Sequence, residues 1–176
     1  MTGPELLVKI QTMRTATNSS FKVRTADSWN KYQDGTADPL IGSGGADILL
    51  TNAFSYWQGQ ELSNSIGSFF DDIMQAFGHI QTVAGSADKT PELWVGETGW
   101  PAGSNYQSAV PGVSAAETFW QKAVCGILDW GVNVFFFETF DKPWKPVSVG
   151  QDGSVADETH WGAWNADRTP KWSARC

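Results

Sequence analysis

Apolar positions along the chain recur with two alternating periods, one helical and one of strand type. Thr2-Gly3-Pro4-Glu5 has the form of a capping box, and Leu6, Leu7 and Ile10 follow at helical spacing, so the chain is expected to open on a helix. Phe21-Lys22-Val23-Arg24-Thr25 alternates as a short strand and runs into a polar and aromatic loop, Asp27-Ser28-Trp29. Ala46 to Asn52 is a second apolar run of strand length, followed by the loop Phe54-Ser55-Tyr56-Trp57-Gln58-Gly59. Ile66, Phe69, Phe70, Ile73, Met74, Phe77 and Ile80 then keep an i, i+3, i+4, i+7 rhythm, which predicts a long helix with an aromatic core stripe. Leu93-Trp94-Val95-Gly96-Glu97 reads as a third strand ending on an acid, stopped by Thr98-Gly99-Trp100-Pro101. Ser114-Ala115-Ala116-Glu117 is a second capping box, and the apolar face of Phe119, Trp120, Val124, Ile127 and Leu128 carries its helix to about Trp130. Val132 to Phe137 is a continuous apolar run, the pattern of a strand covered on both faces, and it meets Glu138.

Helix followed by strand, repeated along the chain, is an α/β order with a parallel sheet of about four strands. The unit from Asp27 to Gly45 has the weakest helix, because Gly and Pro interrupt it. Four such strands make half of an eight-stranded barrel or a small open sheet, and the pattern fits both. Polar, aromatic and acidic residues gather after each strand, the end where (β/α) barrels carry their active sites.

Composition narrows the options. A chain of 176 residues with 41% hydrophobic and 18% charged residues fits one ordinary folded domain, or part of one, rather than a disordered chain. The net charge of −7 and the lack of any Lys/Arg cluster exclude nucleic acid as a partner. Ten Trp exceed what a core needs, since a buried indole must also place its N–H. Trp94, Trp120 and Trp130 are expected to pack, whereas Trp57, Trp100, Trp144, Trp161 and Trp164 sit at predicted loops, where flat rings suit stacking on sugars. Cys125 and Cys176 match neither a metal spacing nor a dithiol motif, which leaves a disulfide or two separate thiols. Asn18-Ser19-Ser20 has the form of an N-glycosylation acceptor. Met1 to Ile10 has no signal-peptide pattern, and no apolar run is long enough to span a membrane. His79 and His160 belong to no ligand cluster, and Gly42, Gly44 and Gly45 lack the Lys and helix of a phosphate loop. No metal and no cofactor are expected.

Two acids stand out. Glu97 and Glu138 each end an apolar strand, and neighbouring strands lie about 4.8 Å apart, so both carboxyls are placed at one end of the sheet. Position alone also suits a plain surface acid. Paired carboxylates are what glycoside hydrolysis uses, one protonating the departing oxygen and the other attacking the anomeric carbon or activating water. Asp141, Trp144 and Lys145 follow Glu138 within one loop.

Gly96-Glu97-Thr98-Gly99-Trp100-Pro101 resembles the nucleophile motif of family 17 glycoside hydrolases. Asn52 to Gly59, Phe137-Glu138-Thr139-Phe140-Asp141 with Trp144-Lys145-Pro146, and His160-Trp161-Gly162 resemble the fungal cell-wall β-1,3-glucanase and glucanosyltransferase branch. The resemblance implies the C-terminal half of a (β/α)8 TIM barrel, so that residues 1–176 form a partial catalytic domain lacking the first four strands. It implies retention through a covalent glycosyl-enzyme on Glu97, with β-glucan as partner and a secreted or cell-wall location. By the same resemblance Asn52, Tyr56, Trp57, Trp100, Glu138, Asp141, Trp144 and Lys145 bind substrate. Trp57, Trp100 and Trp144 serve as stacking platforms, and Lys145 or Tyr56 keeps Glu97 ionised at low pH.

The resemblance also implies a departure. The family's proton donor follows the fourth strand and is expected to lie before Met1, since Glu5 is spent on the capping box. Lys142 stands where relatives of this branch carry an acid. The activity of the chain alone is therefore open, and a glucan-binding half-barrel without turnover, or a truncated product, is the alternative. Half a barrel exposes strand edges, so low solubility is expected of it in isolation.

Overall fold

The computed structural model describes residues 1–149 and 155–176. The elements in chain order are α1 (Gly3–Ala16), β1 (Arg24–Ser28), α2 (Trp29–Gln33), β2 (Ile48–Asn52), α3 (Leu62–Ala84), β3 (Glu92–Thr98), α4 (Val113–Phe119), α5 (Cys125–Asp129) and β4 (Val134–Phe136). A short antiparallel pair, β5 (Ser148–Val149) and β6 (Val155–Ala156), follows. The four longer strands are neighbours in the order β1-β2-β3-β4. Strands that are neighbours in chain order and joined by helices form the α/β arrangement expected from the pattern. The chain divides into two units, one of Met1–Ala53 and Asp71–Gly96 and one of Phe54–Phe70 and Glu97–Cys176.

In the first unit α1 opens on the expected capping box: Glu5 N donates to Thr2 Oγ1, and Thr2 N donates to the Glu5 carboxylate. Both satisfy helix-end amides that have no partner inside the helix. The first strand lies three residues later than the alternation suggested. Phe21 is 71% exposed, and pairing with β2 runs from Arg24 opposite Ile48 to Ser28 opposite Asn52. Asp27 and Ser28 thus belong to the strand, and Trp29 begins α2 instead of ending a loop. Ile10, Tyr32, Leu40, Leu49, Ala76 and Ile80 form the buried core of this unit, and the Tyr32 hydroxyl donates to the Leu50 carbonyl. Met74 of the predicted stripe points out instead and is 58% exposed.

In the second unit Phe137 N donates to Thr98 O at 2.8 Å, which joins the end of β4 to the end of β3. The helix behind them starts at Val113 with Gly112 as its cap, so Ser114 lies inside the first turn and its predicted capping box does not form. One π-type stretch, Trp120–Val124, carries the helix from α4 into α5, and Phe119, Ala123, Val124 and Ile127 are buried along it. Trp130 packs against Phe70, with ring centroids 4.6 Å apart, but is 56% exposed. Cys125 and Cys176 form a disulfide that holds the last residue to this helix, beside a hydrogen bond from Gln121 Nε2 to Arg175 O.

Candidate active site

Glu97 is the penultimate residue of β3, with Val95 and Thr98 buried on either side of it in sequence, so the strand fixes its backbone while its side chain is exposed. The close approach of other residues explains the glycines around it. A Cβ on Gly96 would collide with the Asn52 side chain, and one on Gly99 would collide with the carbonyl oxygen of Phe137. Partial desolvation of the carboxyl raises the Glu97 pKa from its ordinary value, and the Glu158 carboxylate adds to that rise. Lys145 opposes it without reversing it. This corrects the expectation that Glu97 is held ionised at low pH: desolvation and a like charge outweigh the single cation.

Lys145 pairs with Glu158, and its ammonium also lies 5.2 Å from the centre of the Phe137 ring. Glu138 is buried, with one oxygen paired to Lys142 and the other, Oε1, without a partner among the described residues. Lys142 thus supplies a cation to Glu138. The Phe137–Glu138 peptide is cis.

Asp141 is also buried. Its Oδ1 accepts from Lys171 Nζ at 2.7 Å and from Gly162 N at 2.9 Å, while His160 Nδ1 stands 3.9 Å from Oδ2. These contacts tie the loop after β4 to residues 160–171, as do hydrogen bonds from Ala163 N to Glu138 O and from Trp164 N to Thr139 O. Asp141 is in this arrangement an anchor of the loop that carries Trp144 and Lys145.

The aromatic residues separate into two kinds. Trp144 is 73% exposed and presents an open face. Trp57 is half-buried, stacked on Trp161 with centroids 5.2 Å apart. Trp161 itself is fully buried among Phe54, Tyr56, Trp57 and Phe137, so it is a support and not a sugar platform. The same holds for Trp100: it has no exposed surface, its indole donates to Val110 O, and it stacks on Phe119 while meeting the edge of Tyr56. A ring with no accessible face cannot carry a sugar, which corrects the platform expected there. Tyr56 is buried and donates its hydroxyl to the Ser104 carbonyl, and its pKa is pushed up to about 12, chiefly by burial. Asn52 lies in the first unit at the carboxyl end of β2, opposite Ser28, with Oδ1 buried and without a partner among the described residues.

Glu158 and Lys171 were missed by pattern reading. Glu158 stands two residues before the His160-Trp161-Gly162 motif, the one local signal that marks it, and Lys171 has none. Among the described residues no group of three or more His, Cys, Asp or Glu side chains is arranged to hold a metal.

Residues 5–176 match the model of the Glycosyl hydrolases family 17. The chain is 48% identical, over 99% of its length, to a glucan 1,3-beta-glucosidase of Arthroderma benhamiae, of which it covers 56%. It is 46% identical over 90% of its length to a glucan 1,3-beta-glucosidase of Candida albicans, of which it covers 49%. The chain thus spans about half the length of the curated relatives it matches. Its fold is similar to that of a family 17 beta-1,3-glucanosyltransferase from Rhizomucor miehei, with a TM-score of 0.75 at 23% identity over 97% of this chain and 56% of that one. An active-site mutant of the Rhizomucor protein, in complex with laminaritriose, gives a TM-score of 0.74. These likenesses favour half a barrel over a small open sheet.

Proposed function

The chain belongs to family 17 of the glycosyl hydrolases, and from that premise we propose that it supplies the nucleophile half of an enzyme acting on β-1,3-glucan with retention. Glucan 1,3-beta-glucosidases among its relatives, and the laminaritriose complex of a protein with the same fold, support that substrate class. The observation that carries the reading is the placement of Glu97: a carboxyl on the end of a strand, partly desolvated, with Lys145 and Glu158 acting on its charge. Retaining glycosidases use such a carboxylate to attack the anomeric carbon. A Glu97 oxygen forms a bond to that carbon as the glycosidic oxygen departs and takes a proton from an acid. Water or a glucan hydroxyl then attacks the same carbon and returns a proton to the deprotonated acid, and Glu97 leaves with the electron pair of its bond.

The acid is assigned to a part of the complete protein outside this chain. Within the chain Glu158 pairs with Lys145 and Glu138 with Lys142. Within the second unit Glu138, Lys145, Trp57 and Trp144 are assigned to the sugar-binding surface; Asp141, Tyr56 and Trp100 are assigned to holding it in place. A secreted, cell-wall setting is part of the same reading, and no described helix is long and apolar enough to cross a membrane. A second reading is glucan binding without turnover by the isolated chain, with the exposed ring of Trp144 as an open face.

The test follows reducing ends and product sizes from a soluble β-1,3-glucan, using the complete protein and its Glu97→Gln variant. Loss of about 10⁴-fold or more in kcat is expected, the scale seen when a nucleophile is removed. An unimpaired variant would remove Glu97 from the mechanism. Turnover by the isolated chain would show that the acid lies within it.

A further inference from the structure

The connection between α1 and β1 plays no part in the chemistry above, yet it carries the one Asn-X-Ser/Thr sequence of the chain, Asn18-Ser19-Ser20. The backbone there is closed on itself. Thr17 N donates to Met13 O, Asn18 N to Thr15 O, Ser19 N to Arg14 O and Ser20 N to Thr17 O, so the turn satisfies its own amides. Arg14 fixes the base of the turn by hydrogen bonds to Gly45 O and an ion pair with Asp47. Asn18 and Ser19 have φ values of 48° and 54°, the left-handed conformation that commonly ends a helix and that Asn tolerates better than most residues. All three side chains are exposed. None makes a side-chain hydrogen bond among the described residues. A group attached to the Asn18 amide therefore displaces no contact.

A second observation bears on the compartment. Cys125 and Cys176 are joined, and no described cysteine is free. A structural disulfide persists where thiols are not kept reduced, in the secretory lumen and beyond it. That is also where lipid-linked oligosaccharides are transferred to Asn.

We infer that Asn18 carries an N-linked glycan. The donor class is an oligosaccharide linked through pyrophosphate to a polyprenyl lipid. The Asn18 side-chain nitrogen forms a bond to the anomeric carbon of the first sugar as the carbon–oxygen bond to pyrophosphate breaks. The nitrogen gives up one proton, and the polyprenyl pyrophosphate leaves with the electron pair. Ser20 supplies the hydroxyl that the acceptor sequence requires. The turn lies apart from the carboxyl ends of the strands of its own unit. It leads into the amino end of β1, whereas Ser28 and Asn52 close the carboxyl ends of β1 and β2.

The experiment translates the chain behind a secretory leader in the presence of microsomes. It examines only the protease-protected molecules, so that import and modification are read separately. One glycosylated band that an N-glycan amidase collapses is expected, with Asn18 converted to Asp in the tryptic peptide of residues 15–22 when the release is done in heavy-oxygen water. Ser20→Ala, a change at an exposed side chain, is expected to abolish the band, and Ser20→Thr to keep it. Protected chains with an unmodified Asn18 would overturn the inference, as would a band that survives Ser20→Ala.

Discussion

Removing the cation from the buried pair of Asp141 and Lys171 separates an anchoring role for Asp141 from a sugar-binding one. The Lys171 side chain is 4% exposed and that of Asp141 is 12% exposed, with 2.7 Å between Nζ and Oδ1. Lys171→Met keeps the aliphatic stem but leaves a carboxylate in a site closed to water, with Gly162 N as its remaining close donor. Breaking such a pair from one side costs about 3–5 kcal/mol, because the surviving charge stays buried without compensation. For a chain of this length that corresponds to a fall of roughly 10 °C in Tm. Asp141→Asn strands the ammonium instead and is expected to cost a similar amount. The double variant removes both charges, so its cost is expected to fall short of the sum by about 2 kcal/mol. Urea denaturation of the four proteins measures the cycle. Additive single effects, each below about 1 kcal/mol, would refute the anchor and return Asp141 to the substrate surface.

The pH dependence of turnover tests the charges around Glu97. Its pKa is raised, so on the proposed mechanism the attacking form of Glu97 is gained as pH rises. Glu158→Gln is therefore expected to move the acid limb of kcat/KM to lower pH, and Lys145→Met to move it higher. Movement in the opposite senses would show that other groups control the limb. The same raised pKa means that Glu97 favours the folded state at low pH, and that this contribution is lost as pH rises through the folded value. Glu97→Gln is thus expected to gain stability relative to the parent at neutral pH and not in acid, as thermal melts at the two pH values will show. Gly162→Ala is expected to cost more than about 3 kcal/mol, since the added carbon would strike the backbone of Phe140, Asp141 and Trp164 at once; near-parental stability would mean this loop yields. Reduction of Cys125–Cys176, which closes a separation of 51 residues, is expected to lower stability by about 4 kcal/mol on the chain-entropy estimate, and a midpoint unchanged by reductant would contradict it.

What the sequence disclosed depended on whether a signal was local. The aromatic stripe of α3 repeats over several turns, and its helix appears with only Met74 facing the wrong way. Strand β1 was misplaced because Arg24–Ser28 is mostly exposed, so no side-chain alternation marks it. Its limits are set by hydrogen bonding to Ile48–Asn52, a partner some twenty residues away that periodicity does not see. Glu97 was singled out because it ends an apolar run beside Gly-Trp-Pro. Its neighbours Lys145 and Glu158 are 13 residues apart, and Asp141 and Lys171 are 30 apart. Such pairs form through tertiary folding and leave no spacing to read. The surplus of Trp suggested open platforms at Trp100 and Trp161, but both rings went inside, where one indole N–H found the Val110 carbonyl.

Trp57 resting on Trp161 has an optical consequence. Two indoles stacked at 5.2 Å and 28° between planes have coupled transition dipoles, and fixed packing of this kind is what near-ultraviolet circular dichroism records. One partner is sealed within the protein and the other is half open, so a sugar settling on the outer face perturbs a single oscillator of the pair. On the proposed sugar-binding role of Trp57, the pair is an intrinsic chromophore whose couplet and emission would report occupancy of that face, with no label attached.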